Sequence, residues 1–254
     1  MQKDKPSEEL TDRDKVRYDR QIMIKNFGEE GQKKLKSSTA LIAGVGGLGS
    51  PVSIYLAIAG LGKLKIVDKD KVELSNLNRQ ILYRNEDVGK YKANISKKIL
   101  KEYNPDIEVE SFNQKITSEN ISDLARDCDL IVDCMDNYPT RYLLNEVCLE
   151  KELPLFHAAV SGMNGQATTI IPGETPCLKC IVPNPPPEEK FPVLGATPGL
   201  LGTIQAHEVI KYIVGIGKLL KNQLLLVREG TNFRKINVRK NPKCEACGNE
   251  QILK

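Results

Sequence analysis

The sequence predicts an α/β protein, a doubly wound and mostly parallel sheet carrying a C-terminal β-hairpin extension and a four-cysteine metal site. Three observations predict it. Strand-like and helix-like segments alternate over roughly the first 160 residues, which favours a parallel sheet with helices on both faces. A glycine-rich turn, GVGGLG (Gly44–Gly49), follows the first apolar run and opens a helical pattern. Cysteines fall in two C-x-x-C pairs, Cys177/Cys180 and Cys244/Cys247.

The elements follow in order. EEGQKKLKSS reads as a short helix ending before the strand TALIAG. SPVSIYLAIAGL is a helix with Ser50 as its N-cap and Pro51 in its first position. KLKIVDKD is a strand ending in acids, and DVGKYKANISKKILKEYNP is an amphipathic helix stopped by Asn104 and Pro105. IEVESFNQ alternates as a strand, SENISDLARD is a short helix, and CDLIVDCMDN is a buried strand ending in acids. TRYLLNEVCLEKELP is a helix and LPLFHAAV a strand. Beyond them GQATTIIPG reads as a strand. IVPNPPPEEKFPVLGATPG holds too many prolines for a helix or central strand, so it is an exposed connection or an ordered crossing loop. GTIQAHEVIKYIVG is an amphipathic helix, and QLLLVREGTNFRKINVRK a hairpin turning near Gly230. The chain divides into a helical region (1–37), a half of alternating strands and helices (38–160) and a remainder with the crossing loop, the cysteine pairs and the C-terminal hairpin (161–254), all one domain.

Composition excludes several classes. Of 254 residues 40% are hydrophobic and 28% charged, ordinary for a globular chain. No apolar run is long enough to span a bilayer, and the charged start MQKDKPSEELTDRDK is no secretory signal. A net charge of +4, no Trp and 5% aromatics argue against nucleic acid. Seven cysteines without a signal suggest metal ligands or buried thiols, and a cytoplasmic location.

Gly44, Gly46 and Gly49 complete G-x-G-x-x-G, with Gly47 between them, a turn that lets backbone approach phosphates. Asp68 ends the next strand about twenty residues on, where a carboxylate accepts ribose hydroxyls; Asp70 follows it. NAD and ATP look alike to that point. Asn76, Arg79 and Gln80 on the following loop, with Lys92 thirteen residues after Arg79, favour a triphosphate, because clamped cations offset phosphate charge. Asp136, in the acidic cluster Asp133–Asn137, suits magnesium shared with substrate phosphates. The bland alternatives are solvated lysines and, for Asp136, a helix cap. The two cysteine pairs offer four thiolates, a closed tetrahedral set that suits structural zinc, against disulfides or free thiols. Cys128, Cys134 and Cys148 read as small buried hydrophobes, and His157 and His207 as core or capping residues.

RYDRQ, GVGGLGSP, DKDKVELSNLNRQ, VGKYKA, DCMDN and CLKC…CEAC together resemble the ubiquitin-activating-like superfamily in its compact HesA/MoeB/ThiF form, with a Rossmann-like fold, from about Arg17 to Gly248. The resemblance implies that ATP lies over the glycine turn and a carboxylate attacks its α-phosphate, giving an acyl-adenylate and pyrophosphate. It implies Asp68 on the ribose, Asn76, Arg79 and Lys92 on the phosphates with Gln80 in support, and Asp136 (beside Asn137) on magnesium. It also implies Arg20 of RYDRQ on the γ-phosphate of a neighbouring subunit, hence a homodimer. The crossing loop after Cys180 has no cysteine, a departure from family members that form a thioester or persulfide, and this favours adenylation alone. The expected substrate is the C-terminal carboxylate of a ubiquitin-like sulfur-carrier protein with a Gly-Gly tail. The alternatives are a small carboxylic acid, as with the HcgE member that activates a pyridinol carboxylate in [Fe]-hydrogenase cofactor biosynthesis, and, in another class, an NAD-linked oxidoreductase or a non-catalytic nucleotide-binding scaffold.

Overall fold

The computed structural model describes residues 9–187 and 189–248. Residues 1–8 of the charged N-terminal stretch, and both ends of the expected 1–254 domain, lie outside the described residues.

Eight strands form a single sheet in the order β3-β2-β1-β4-β5-β6-β7-β8. They are β1 (Thr39–Ala43), β2 (Lys63–Val67), β3 (Glu108–Phe112), β4 (Leu130–Asp133), β5 (Leu155–Ser161), β6 (Asn164–Ile170), β7 (Gln223–Arg228) and β8 (Asn232–Asn237). From β3 to β5 every pairing is parallel; from β5 to β8 every pairing is antiparallel. The central strand β1 is buried along its whole length, and its alternate residues feed two cores. Ala40 and Ile42 pack into one, Leu41 and Ala43 into the other. A strand covered on both faces needs apolar residues at every position, which is why TALIA shows no alternation.

The first core lies under α3 (Gly28–Lys36), α4 (Gly49–Ile58), α5 (Lys92–Tyr103) and α9 (Ala196–Val214). The second lies under α6 (Ile121–Leu124), α7 (Tyr138–Lys151) and α8 (Leu178–Ile181). Two further short helices, α1 (Asp12–Arg17) and α2 (Asp19–Ile22), precede α3. Among the described residues no helix is long and apolar enough to cross a membrane.

Several helix starts differ from the sequence reading, three of them near the glycine turn and the loops around it. Ser50 does not cap α4; the cap position is Leu48, and Ser50 lies inside the first turn with its Oγ donating to the Gly46 carbonyl at 2.7 Å. The glycine turn curls straight into the helix, so one more turn residue becomes helical. Helix α5 begins at Lys92 rather than near Asp87, because Asp87 instead caps a short 3-10 turn and Gly89 then adopts φ +87°. Helix α9 begins at Ala196, six residues before Gly202, since Pro198 falls in its first turn, where its missing N–H costs nothing.

Candidate active site

The site gathers beyond the carboxyl ends of β1, β2 and β4, the usual ligand crevice of such sheets. Gly44 leaves β1 with φ +89°, in the left-handed region. A Cβ on Gly49 would stand 2.1 Å from the Gly44 carbonyl oxygen, so only glycine lets α4 start this close to the strand. No side chain caps α4, and its first N–H groups can take phosphate oxygens. Around the turn stand the predicted partners. The Gln80 amide nitrogen lies 3.6 Å from a Cβ built on Gly46, and the Arg79 side chain 3.7 Å from one built on Gly47.

Asp68 is tied to that turn. One carboxylate oxygen accepts from Val45 N–H at 3.0 Å, the other from Asp70 N–H at 2.8 Å. Burial pushes its carboxyl above the ordinary value against the pull of the Lys92 charge. Lys92, buried at the first position of α5, points its ammonium at Asp70 Oδ2 at 3.6 Å. For Asp70 the upward push of burial is outweighed by a hydrogen bond from Lys69 and the charge of Lys92, and its carboxyl is held below the ordinary range. Asn76 is buried and caps its own short turn, accepting from Glu73 N–H at 3.1 Å. Arg79 is drawn back to the Ser75 carbonyl at 2.8 Å. Gln80 is buried, and its Oε1 has no hydrogen-bond partner among the described residues.

Asp136 is exposed, and its charge reaches Lys69. It is not the cap of α7; Asn137 is, accepting from Thr140 N–H at 3.0 Å, so that amide oxygen already has a structural task. Arg20 stands apart from the group. It is exposed on α2, whose Gln21 bonds the carbonyl of Ala59 at the far end of α4. Ten residues of helix, about 15 Å, separate that end from the glycine turn.

Sequence reasoning missed two groups. The Tyr83 hydroxyl donates to the Val45 carbonyl at 2.7 Å and meets Ser96 Oγ at 3.1 Å, supporting the glycine turn from beneath. The second is a buried cluster behind β4. Asp133 Oδ2 lies 2.6 Å from His157 Nδ1 and 3.6 Å from Arg141 Nε. Burial pushes the His157 pKa down although the hydrogen bond and charge of Asp133 pull it up. His157 is thus a core residue as expected, but His207 is exposed, its helix presenting it to solvent rather than to either core. Cys128, Cys134 and Cys148 are all buried, and burial pushes the thiols of Cys134 and Cys148 well up, away from nucleophilic thiolate.

The crossing loop is ordered at its far end. Gly162 N–H donates to the Pro192 carbonyl at 2.7 Å, and Leu194 N–H returns a bond to Gly162 at 3.1 Å. Gly195 then seats on the carbonyl of Asn78, beside Arg79, and Pro198 packs on Gly47. The far end of the loop and the start of α9 are therefore held beside the glycine turn.

The four cysteines converge as their spacing suggested. Their sulfurs all lie within 4.8 Å of one another, with Cys177–Cys180 at 3.9 Å, Cys177–Cys244 at 3.6 Å and Cys180–Cys247 at 3.4 Å. Sulfurs about 2.3 Å from a tetrahedral zinc would be about 3.8 Å apart, so the set fits that ion. The Asn241 N–H points at the Cys180 sulfur at 3.4 Å. Against the upward push of burial, N–H groups of Cys247 and Ala246 bring Cys244 down to about 7.

A model of the ThiF family matches residues 18–246. The chain belongs to the ThiF family. It is 42% identical over 246 residues to a sulfur carrier protein adenylyltransferase of Thermus thermophilus, covering 92% of this chain and 91% of that one. It is 42% identical to the adenylyltransferase and sulfurtransferase MOCS3 of Drosophila yakuba, covering 96% of this chain and 56% of that one. Among solved structures, MccB of E. coli with ATP superposes with a TM-score of 0.78 at 25% identity, over 91% of this chain and 73% of that one. This ThiF-family chain is an ATP-using adenylyltransferase that activates a carboxylate, which sets aside the oxidoreductase and scaffold alternatives.

Two outcomes test this geometry. Protein purified without a metal-binding tag is expected to carry about one zinc per chain by elemental analysis, and Cys244→Ser to lose it with a lower melting temperature; metal-free protein of undiminished stability would refute the zinc assignment. Asp68→Ala should weaken ATP binding by about 1.5–3 kcal/mol in calorimetry, the worth of a hydrogen bond to a charged group. Because the native Asp68 carboxyl sits above its ordinary value, wild-type affinity should fall as pH drops through that raised value, at a higher pH than an exposed carboxylate would give. Asp68→Ala should lack this step, and an unchanged profile would speak against the ribose role.

Proposed function

We propose that this chain adenylates the C-terminal carboxylate of a ubiquitin-like sulfur-carrier protein, using ATP and magnesium in a homodimer. The observation that carries the reading is the far end of the crossing loop, fixed on Gly162 and, through Gly195, beside Asn78 and Arg79 next to the glycine turn. This reading takes the loop as a cover under which a thin, extended tail, as a Gly-Gly terminus would be, reaches the nucleotide. The relative of Thermus thermophilus, named for a sulfur carrier protein and matched over nearly its whole length, supports the same substrate. MccB, solved with MccA, supports the neighbouring possibility of another carboxylate under the same loop.

In this reading Asp68 holds the ribose, and the backbone of Gly46, Gly47 and the first turn of α4 faces the phosphates. Asn76, Arg79 and Lys92 offset phosphate charge, and Gln80 supports them. A carboxylate oxygen forms a bond to the α-phosphorus while the bond from that phosphorus to the bridging oxygen breaks, and pyrophosphate departs with the electron pair. No general base is needed, since a carboxylate is ionised at neutral pH. Magnesium, held by Asp136 and phosphate oxygens, would supply further neutralising charge. Zinc in the four-thiolate set has no open position and is structural. With the remaining thiols buried and the loop free of cysteine, the chemistry ends at the adenylate.

Arg20 is assigned to the partner's γ-phosphate. Its own glycine turn is a helix length away, and exposed Val16, Met23 and Ile24 flank it, as a subunit interface requires.

Pyrophosphate exchange into ATP should depend on a carrier protein ending in Gly-Gly, and disappear when the last glycine is removed or its carboxylate amidated. Exchange supported instead by a small carboxylic acid alone would move the assignment to the small-molecule alternative. For Arg20, the Arg20→Ala and Asp136→Ala chains should each be nearly inactive, while an equal mixture regains about a quarter of the sites through heterodimers. Heterodimers that form and stay inactive would mean that Arg20 does not act across the interface.

A further inference from the structure

Arg141 is a buried cation that the nucleotide chemistry leaves unused. It lies on α7 at 5% exposure, with its guanidinium inside the protein behind the end of β4. One nitrogen, Nη2, donates to the carbonyl of Met135 at 2.5 Å and to that of Ala158 at 3.2 Å. Its Nε makes no hydrogen bond among the described residues and faces the Asp133 carboxylate at 3.6 Å. Asp133 uses its other oxygen to accept from the N–H of Met135, at 3.0 Å. The two peptide groups flanking Met135 are thus fixed from opposite sides, by a buried anion and a buried cation.

The next residue is Asp136. Its side chain is exposed and, among the described residues, receives only a long hydrogen bond from Asn137 Nδ2, at 3.3 Å, so its backbone largely sets where it points. A buried ion pair is a poor source of stability, because desolvation consumes most of the Coulombic gain. Here the hydrogen bonds of the pair run to the peptide groups just before Asp136. His157 Nδ1 lies 2.6 Å from Asp133 Oδ2, and Gln205 Nε2 donates to the Asp133 main-chain carbonyl at 2.8 Å, so both the carboxylate and the backbone of Asp133 have partners.

We propose that Arg141, together with Asp133, is a positioning residue that sets Asp136 for the metal and phosphates of the bound nucleotide. The proposal rests on the reading of Asp136 as the magnesium carboxylate. Arg141 touches neither substrate nor metal. It works by holding the Met135 carbonyl while its Nε stays against Asp133, a two-sided reach that the single ammonium of a lysine cannot reproduce.

The test uses the full-length protein and the variant Arg141→Lys, which keeps the charge against Asp133. Two readouts are taken: amide hydrogen exchange of residues 134–137 without ligand, and ATP binding by calorimetry with magnesium or with EDTA. A melting temperature near wild type is expected, with faster exchange confined to 134–137 and ATP affinity in EDTA unchanged. The gain in ATP affinity on adding magnesium should fall about tenfold or more, the scale on which lost supporting contacts weaken metal sites. If the lysine variant does not fold, Arg141→Gln, which keeps a donor to one carbonyl, takes its place. Asp136→Asn is the control and should lose the magnesium gain with exchange unchanged. If Asp136→Asn keeps the gain, the magnesium reading itself fails and takes this proposal with it. If Asp136→Asn loses the gain while the Arg141 variant keeps wild-type gain and exchange, only the positioning role is overturned. A loss of ATP affinity in EDTA as well, with faster exchange throughout the sheet, would mean general loosening and also overturn it.

Discussion

The site depends on one close approach: the start of α4 against the carbonyl oxygen that ends β1. A side chain at Gly49 would have to occupy the space of the Gly44 oxygen, so the helix can begin there only because both positions lack one. That contact aims the uncapped first turn of α4 along the carboxyl edge of the sheet. It also turns Val45 so that its N–H meets Asp68 and its carbonyl meets Tyr83. Through that one residue the end of β2 and the loop before α5 are fixed against the turn. In the proposed reading, phosphate positions and ribose position are therefore set by the same few atoms of backbone.

Charge is arranged around this edge so that each group keeps its state before nucleotide arrives. Lys92 is buried, yet it faces Asp70, and its field also reaches Asp68. Without that cation a carboxylate as enclosed as Asp68 would be driven further toward its neutral form. In the proposed reading, incoming phosphates add negative charge where Lys92 now faces an exposed acid, and an exposed partner is the easier one to give up. Arg79 is parked in the same way, on a carbonyl and on Asn78 of its own loop, and not in a buried salt bridge. Both cations can turn to a new anion at small cost.

Much of this was legible in the sequence because it is local. The glycine turn, the acids ending β2 and β4, the loop from Asn76 to Gln80 and Lys92 lie within short stretches whose spacing reflects one strand, one turn and one helix. The cysteine pairs were legible for another reason: each grips metal on its own, and only their meeting needed the fold. What stayed hidden has two causes. The cluster of Asp133, Arg141, His157 and Gln205 draws on β4, α7, β5 and α9, and no spacing links such positions; only the packing of parallel strands brings them together. The helix starts were missed because tertiary contacts overrode local preference. Ser50 and Pro51 favour a cap and a first position, but the helix begins earlier, where Gly49 meets Gly44.

The two halves of the sheet divide the work. The parallel half, β3 to β5, ends in the residues assigned to nucleotide under the proposed function; the antiparallel half, β5 to β8, holds the landing of the crossing loop. The crossing loop leaves α8 directly after Cys180, one of the four clustered thiols, and lands on Gly162 in the turn between β5 and β6. Its departure is thus tied to the C-terminal cysteine pair and its landing to the sheet. A loop rich in proline has little freedom to lose between two such anchors, so holding it over the site costs little conformational entropy. In the proposed reading the cysteine cluster, distant in sequence from every residue assigned to ATP, bears on the chemistry by fixing where the crossing loop begins. A structural metal there would serve the passage of the carboxylate tail rather than the binding of nucleotide.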